Sequence, residues 1–319
     1  MECSFRPYRT SPNILLRLQI RYRAEYFAGW AILKMLGLFP RPVTRKFSAM
    51  LAQVLYGITP RLRRTADQNL RMALPELTPA ERASISSGVY RSLGRLLAEC
   101  ARFPRLNAAN VQELVEYEGL ENYRAAVARK RGVLFLTAHL GAWELGAFAH
   151  ALNGYPLQVV YRRLDNPRLN RLVNHYRTLS GNKLIDKKDS AREILAALAR
   201  NETVGILADQ NNLPEDGVFV QFFGIPACTT SGIAKIALRT GAAVVPAFCV
   251  WHQPSQRFRI IFSPPLELRT TGEPEEDVRN ATQQMTSVIE QYVRRYPDQW
   301  LWIHRRWKTR PPGEPSLYT

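Results

Sequence analysis

Cysteine is scarce in this chain, and long apolar runs are missing. The four cysteines, Cys3, Cys100, Cys228 and Cys249, are scattered and form no CxxC pair. That argues against a disulfide scaffold or a structural zinc site, and it suits a reducing compartment. An ordinary transmembrane helix needs about 20 consecutive apolar residues. The first apolar patch, residues 26–40, is interrupted by Lys34 and stops at Pro40. The opening MECSFRPYRT also lacks the layout of a cleaved signal peptide, a short charged lead into an apolar core. Acidic residues are in short supply: 27 Asp and Glu against 44 Lys and Arg leave a formal charge of +17. Such a surplus points to phosphate-bearing partners, whether nucleic acid, anionic lipid or an acidic carrier protein. No internal repeat and no Gly/Ser/Pro linker divides the 319 residues, whose 46% hydrophobic and 22% charged content is that of a globular protein.

The charge is unevenly spread. Residues 1–75 hold 13 Lys or Arg against 3 Asp or Glu, a net +10. The same stretch carries apolar patches at 26–40 and 47–60, with Tyr26, Phe27 and Trp30 among them. Cations flanking short apolar helices with aromatic residues fit a segment lying in a membrane interface. The alternative is a pair of amphipathic helices packed on the main domain.

Residues 14 to 106 read as helical, and Thr78 followed by Pro79 marks one helix start. Beyond that region short β-branched runs alternate with helical patterns. Residues 132–138, 157–161, 203–209, 218–223, 242–250 and 258–263 read as strands, and 190–201 and 230–241 as helices. This alternation predicts an α/β fold, a mixed central sheet flanked by helices, with an N-terminal helical membrane-associating layer. The expected division is 1–106 for the helical region and 107–319 for the α/β domain, together forming one structural unit.

Residues 137–148, TAHLGAWELGAF, place His139 and Glu144 five positions apart after an apolar run. On a continuous helix they would point about 140° apart. They can meet only if His139 sits in the turn before a helix and Glu144 reaches back, a bend that Gly141 eases. A neutral imidazole can take a proton from an alcohol while a carboxylate on its other nitrogen fixes the tautomer. No Ser or Cys stands in a GxSxG setting, so the pair suits activation of a substrate hydroxyl. A purely structural hydrogen bond is the other reading.

Three further stretches join this motif: YRRLDNPRLNRL (161–172), LADQNNLPEDGVFVQFFGIPACTTSG (207–232) and WLWIHRRWKTRPPGEPSLY (300–318). In this order and spacing, over most of the chain, they resemble the bacterial lipid A biosynthesis acyltransferases of the lauroyl and myristoyl type. The resemblance implies a glycerolipid-acyltransferase-like fold, with His139 as general base and Glu144 as its carboxylate partner. Arg162, or the adjacent Arg163, would stabilise the oxyanion or hold the donor. Asp209 would be a second acidic site residue, or a turn cap. Thr229 and Thr230 read as caps of the next helix, with contact to substrate as a further role.

The cluster His304, Arg305, Arg306, Lys308 and Arg310, interleaved with Trp300, Trp302 and Trp307, reads as a lipid-phosphate binder, with some members structural. The short, lysine-interrupted apolar segment departs from the longer anchor of many members, so monotopic or peripheral attachment is expected over a single N-terminal anchor.

The expected reaction passes a fatty acyl group from acyl carrier protein to a hydroxyl of a phosphorylated glucosamine lipid, at the cytoplasmic face of the inner membrane beside anionic lipid. It needs no metal and no cofactor. Two rivals stand beside it. One is acylation of a phosphatidylinositol mannoside or a lysophospholipid. The other is a non-catalytic basic protein binding membrane or nucleic acid, which explains the charge but not the ordered motifs.

Overall fold

The computed structural model describes residues 12–188 and 190–318, so the opening decapeptide and Cys3 lie outside the described residues. Four helices come first: α1 (Pro12–Leu38), α2 (Arg41–Ile58), α3 (Pro60–Ala73) and α4 (Pro79–Cys100). Proline at the first turn begins each of the last three, where its missing N–H costs nothing. At α4 the Thr78 hydroxyl accepts from Glu81 N and the Glu81 carboxylate accepts from Thr78 N, a closed capping box. Gly94 lets α2 lie close on α4, because a Cβ there would sit 2.9 Å from the Ser48 carbonyl oxygen. Glu99, fully buried on α4, is paired by Arg45 at 2.8 Å and Arg41 at 3.4 Å from α2. Two of the N-terminal cations therefore face inward.

The α/β part is a seven-stranded sheet in the order β1-β9-β8-β2-β5-β3-β4. Its strands are β1 (Val115–Glu118), β2 (Val133–Thr137), β3 (Leu157–Tyr161), β4 (Lys183–Asp186), β5 (Thr203–Leu207), β8 (Ala243–His252) and β9 (Arg257–Phe262). Only the β8–β9 pairing is antiparallel, which makes the sheet mixed as expected. A separate antiparallel hairpin joins β6 (Gly217–Phe222) to β7 (Ile225–Thr230). On one face lie α5 (Leu120–Ala128), α6 (Trp143–Leu152) and part of α4, around Phe103, Phe148 and Leu145. On the other lie α8 (Ser190–Ala199), α9 (Gly232–Thr240) and α10 (Pro274–Arg295), with Trp300, Trp302 and Trp307 among them. Strand β2, buried on both faces, is the central element, and its apolar run VLFLT reflects that. The helical layer is sewn to this part. Asn69 of α3 donates to the carbonyls of Trp302 and His304, and Tyr318 Oη donates back to Asn69.

Helices α1 and α2 keep one side bare. Leu16, Ile20, Phe27, Trp30 and Leu38 share one stripe of α1; Val43, Phe47, Met50, Val54 and Ile58 share one stripe of α2. All are exposed, Leu38 and Ile58 at 68%. No helix among the described residues is long and apolar enough to cross a membrane. Helix α1 is held by Asn166, which donates to Tyr22 O and Glu25 Oε2 at 2.9 Å and also caps α7 (Pro167–Thr178).

Candidate active site

Strand β2 ends at Thr137 and α6 begins at Trp143, so His139 lies in the turn at the carboxyl edge of the sheet, where sites of such folds gather. Gly141 makes the turn with φ +63°, and its N–H is held by the Gln299 carbonyl at 2.9 Å. A side chain at 141 would run into the Cys249 carbonyl oxygen.

The acid on His139 is not the expected one. Asp209 Oδ1 accepts from His139 Nδ1 at 2.8 Å, and Asp209 Oδ2 accepts from the His139 backbone N–H at 2.9 Å and from the Trp300 indole at 2.8 Å. Glu144 turns instead to Arg177 on α7, whose Nε donates at 2.9 Å to one oxygen while Nη2 donates to the other. The reason is geometric. The first turn of α6 aims Glu144 across the mouth of the site toward α7, whereas Asp209 follows β5, the immediate neighbour of β2, and so arrives beside the imidazole.

Burial disfavours the charged form of Asp209, but His139's charge and the hydrogen bonds outweigh it and hold the carboxyl below its ordinary range. Burial likewise pushes His139 down, while the charge and hydrogen bond of Asp209, with Glu144 behind, push it up and prevail. With Nδ1–H committed to Asp209, the lone pair sits on Nε2, which faces Gln210 Nε2 at 3.4 Å. The ring packs edge-on to Trp143, centroids 5.1 Å apart.

His139 stands at the mouth of a cavity of about 490 Å³. Glu144, Arg177 and Arg162 join it at the rim, and the walls are apolar: Val159, Ile206, Phe248 and Ile260 among others. Depth follows from the elements. Phe135 and Thr137 line it at alternate positions of β2, about 7 Å at the usual rise, and His139 lines it from the turn beyond. Glu144, Ala147 and His150 line it along α6, about 9 Å of helix. His150 closes the inner end amid Tyr123, Tyr155, Phe135 and Phe262. Desolvation lowers its pKa to about 3, so it is a neutral wall residue; Nδ1 meets Tyr117 Oη at 3.1 Å. No side chain caps the N-terminus of α6, leaving its first N–H groups to an incoming anion.

The other expected residues separate. Arg162 lines the cavity, exposed and 3.2 Å from Asp165, whereas Arg163 is drawn away into an ion pair with Asp186. The C-terminal cluster is not a shared phosphate site. Arg306 is fully buried, donating to Cys228 O and Thr229 Oγ1, and burial lowers its pKa to about 10. His304 accepts from Asn211 N at 3.0 Å, neutral because burial lowers it to about 4. Arg310 is bound to Pro226 O and Glu314, and Arg305 lies over the Tyr318 ring, leaving Lys308 exposed. The three interleaved tryptophans are core residues, so the segment is packed rather than spread on a surface. Thr229 and Thr230 belong to β7, and Ser231 occupies the cap of α9. Nothing in HYRT distinguishes Arg177 among the 44 cations of the sequence.

Comparison with known proteins places these residues in context. Residues 15–309 match the family model described as bacterial lipid A biosynthesis acyltransferase. The chain is 30% identical over 299 residues to the lipid A biosynthesis lauroyltransferase of Escherichia coli strain K12, covering 92% of this chain and 95% of that one. It is 30% identical to the palmitoleoyltransferase of the same organism, over 94% and 96% of the two chains. To the myristoyltransferase it is 26% identical, over 92% and 91%. Among solved structures, the 1-acyl-sn-glycerophosphate acyltransferase of Thermotoga maritima aligns with 82% of this chain and 99% of its own. Its identity is 13% and its TM-score 0.38, too loose a likeness to argue from.

Proposed function

Because the chain belongs to the bacterial lipid A biosynthesis acyltransferases and is therefore an acyltransferase, we propose that it transfers a fatty acyl group from acyl carrier protein to a hydroxyl of a lipid A precursor. The observation that carries this reading is the His139–Asp209 dyad at the mouth of a deep apolar cavity. The acyl chain occupies the cavity with its thioester carbonyl at the rim. The acceptor hydroxyl oxygen attacks that carbonyl while His139 Nε2 takes its proton, and Asp209 stabilises the imidazolium. The tetrahedral oxyanion lies by the uncapped N-terminus of α6 and Arg162, each donor contributing about 3 kcal/mol. Collapse breaks the carbon–sulfur bond, and the leaving thiolate recovers the proton from His139. Glu144 adds negative charge near the imidazole and holds Arg177 as part of the rim.

The bare stripes of α1 and α2, with Lys34 within the first, Lys46 beside the second and Arg17 and Arg21 on the flank of α1, suit a lipid surface bearing anionic headgroups. We place them on the cytoplasmic leaflet of the inner membrane, where the donor protein is found. Asn166 ties α1 to the α7 start near the rim, so lipid reaches the cavity from that surface. The test incubates the protein and its His139→Ala variant with acyl carrier protein thioesters and a tetra-acylated lipid A precursor, followed by mass spectrometry. A gain of one acyl group that the variant lacks supports the reading. No gain with folded protein rejects this acceptor, and equal gain with the variant rejects the base.

A further inference from the structure

A second cleft, about 710 Å³, opens beside the site without belonging to it. Its walls come from α4 (Arg91, Arg95), the end of β8 (Trp251), the start of β9 (Arg259), the end of α10 (Arg295) and the 3-10 turn Pro297–Gln299 that follows it (Asp298). Arg259 is already neutralised, bound to Glu116 at 3.0 Å and Glu118 at 3.1 Å. The other three arginines have no ion-pair partner among the described residues, and Asp298 is the one carboxylate in the lining. Arg91 and Arg95 are one turn apart and share a face of α4.

Arg95 is the telling member. Its guanidinium lies over the Trp251 ring at 5.0 Å, while Arg45 covers the same ring at 4.9 Å. Burial lowers its pKa, Asp298 opposes this, and Arg91 and Arg45 lower it further. A half-buried guanidinium, stacked and oriented, without a hydrogen-bond partner among the described residues and repelled by two neighbours, is arranged for an anion. Three arginines without an ion-pair partner among the described residues, against one carboxylate, leave about +2 in the lining, and Arg259 with its two carboxylates lowers the surroundings to about +1, a surplus that suits a phosphate.

The cleft is wired to the reaction centre. Gln299, in its wall, takes the Gly141 N–H on its carbonyl oxygen, and its side chain exchanges two hydrogen bonds with the Trp251 backbone. Gly141 bridges Cys249, two residues before Trp251, and lies two residues after His139. Two strand residues span about 7 Å, so the cleft wall starts on the order of 10 Å from the dyad. A sugar ring and the first bonds of an acyl chain cover that distance.

We propose that the Arg91–Arg95–Arg295 cleft is a phosphate subsite that anchors the substrate while its hydroxyl meets His139; this rests on the acyltransfer reading above. A phosphate could come from the lipid acceptor or from the prosthetic arm of the carrier protein, and the experiment separates them. Arg95→Gln and the exposed Arg91→Glu are compared with wild type for KM and kcat on the phosphorylated acceptor, the same acceptor with its phosphates removed, and the carrier thioester.

The expected result is a KM for phosphorylated acceptor raised about 10- to 100-fold by Arg95→Gln, with kcat little changed and no difference on dephosphorylated acceptor. A rise confined to the carrier thioester assigns the phosphate to the donor and keeps the subsite. Unchanged KM values for both, or equal losses on dephosphorylated acceptor, overturn it. Titration with inorganic pyrophosphate, read by Trp fluorescence, runs in parallel and needs no turnover. Saturable binding weakened in both variants, in a protein that acylates no lipid A precursor, keeps the subsite while the acyltransfer reading falls.

Discussion

Asp209→Asn keeps the shape of the side chain and reverses one of its contacts. The carboxylate accepts from His139 Nδ1 on one oxygen, and from His139 N–H and the Trp300 indole on the other. An asparagine oxygen settles where two donors converge, so its NH2 faces Nδ1. That nitrogen must then accept, the ring proton moves to Nε2, and the nitrogen facing the cavity can no longer take a proton. A wrong tautomer of this kind costs a serine protease about 10,000-fold in kcat, some 5.5 kcal/mol at 1.36 kcal/mol per tenfold. We expect a loss between about 1,000- and 10,000-fold here.

The pH dependence carries a second signature. Burial lowers the His139 pKa and Asp209 raises it more, so the wild-type rate falls as pH drops through a raised value. Removing the charge should move the acid limb of the residual activity to lower pH. Stability follows the same linkage. The raised imidazole contributes below its unfolded pKa and loses that as pH rises through the folded one. The lowered carboxyl contributes above its unfolded pKa and loses that as pH falls through the folded one. Both contributions are complete between about pH 4 and pH 6.5, and the variant should lose stability most in that window. Acyl transfer by mass spectrometry across pH, with urea midpoints alongside, reads both effects. Activity within tenfold of wild type and an unmoved acid limb would refute the reasoning.

Glu144→Ala should strand Arg177, a mostly buried cation, and lower stability by about 3 kcal/mol in urea unfolding, with Glu144→Gln costing less. Ala147→Phe places a ring halfway down the cavity and should shift preference to acyl chains several carbons shorter, seen by competing thioesters of different length. Phe47→Asp with Met50→Asp interrupts the bare α2 stripe. Binding to anionic vesicles in a flotation assay should drop by more than tenfold, given about 1.5–3 kcal/mol for each apolar side chain removed from water, while the urea midpoint stays put.

The strands rich in β-branched residues are legible in the sequence to within about two residues, and LQVVY at 157–161 matches β3 fully. Strands β1 and β4 were not, because VEYE and KLID are short, charged edge segments whose pairing comes from neighbours far along the chain. Helix α10 carries its apolar residues among many charges, so its pattern does not stand out in the sequence. Within the site, His139 was marked by its position after an apolar strand. Its partner was not: sequence proximity favoured Glu144, whereas the parallel pairing of β2 with β5 delivers Asp209 from 70 residues away. The C-terminal arginines and tryptophans misled for the converse reason. Their charge suggests a surface, but backbone carbonyls at Cys228 and Pro226 give the guanidiniums a place in the core.

The Trp300 indole that steadies Asp209 comes from among the last residues of the chain, as do the Trp302 and His304 carbonyls that hold Asn69 and the Tyr318 hydroxyl beside them. Synthesis proceeds from the other end at about 5–20 residues per second. Helices α1 and α2 therefore leave the ribosome before the segment that carries Trp300, and the acid–base pair stays unbraced until that segment packs. The acid–base pair thus gains its indole brace only after the segment around Trp300 has emerged and packed, later than the exposed faces of α1 and α2 are made.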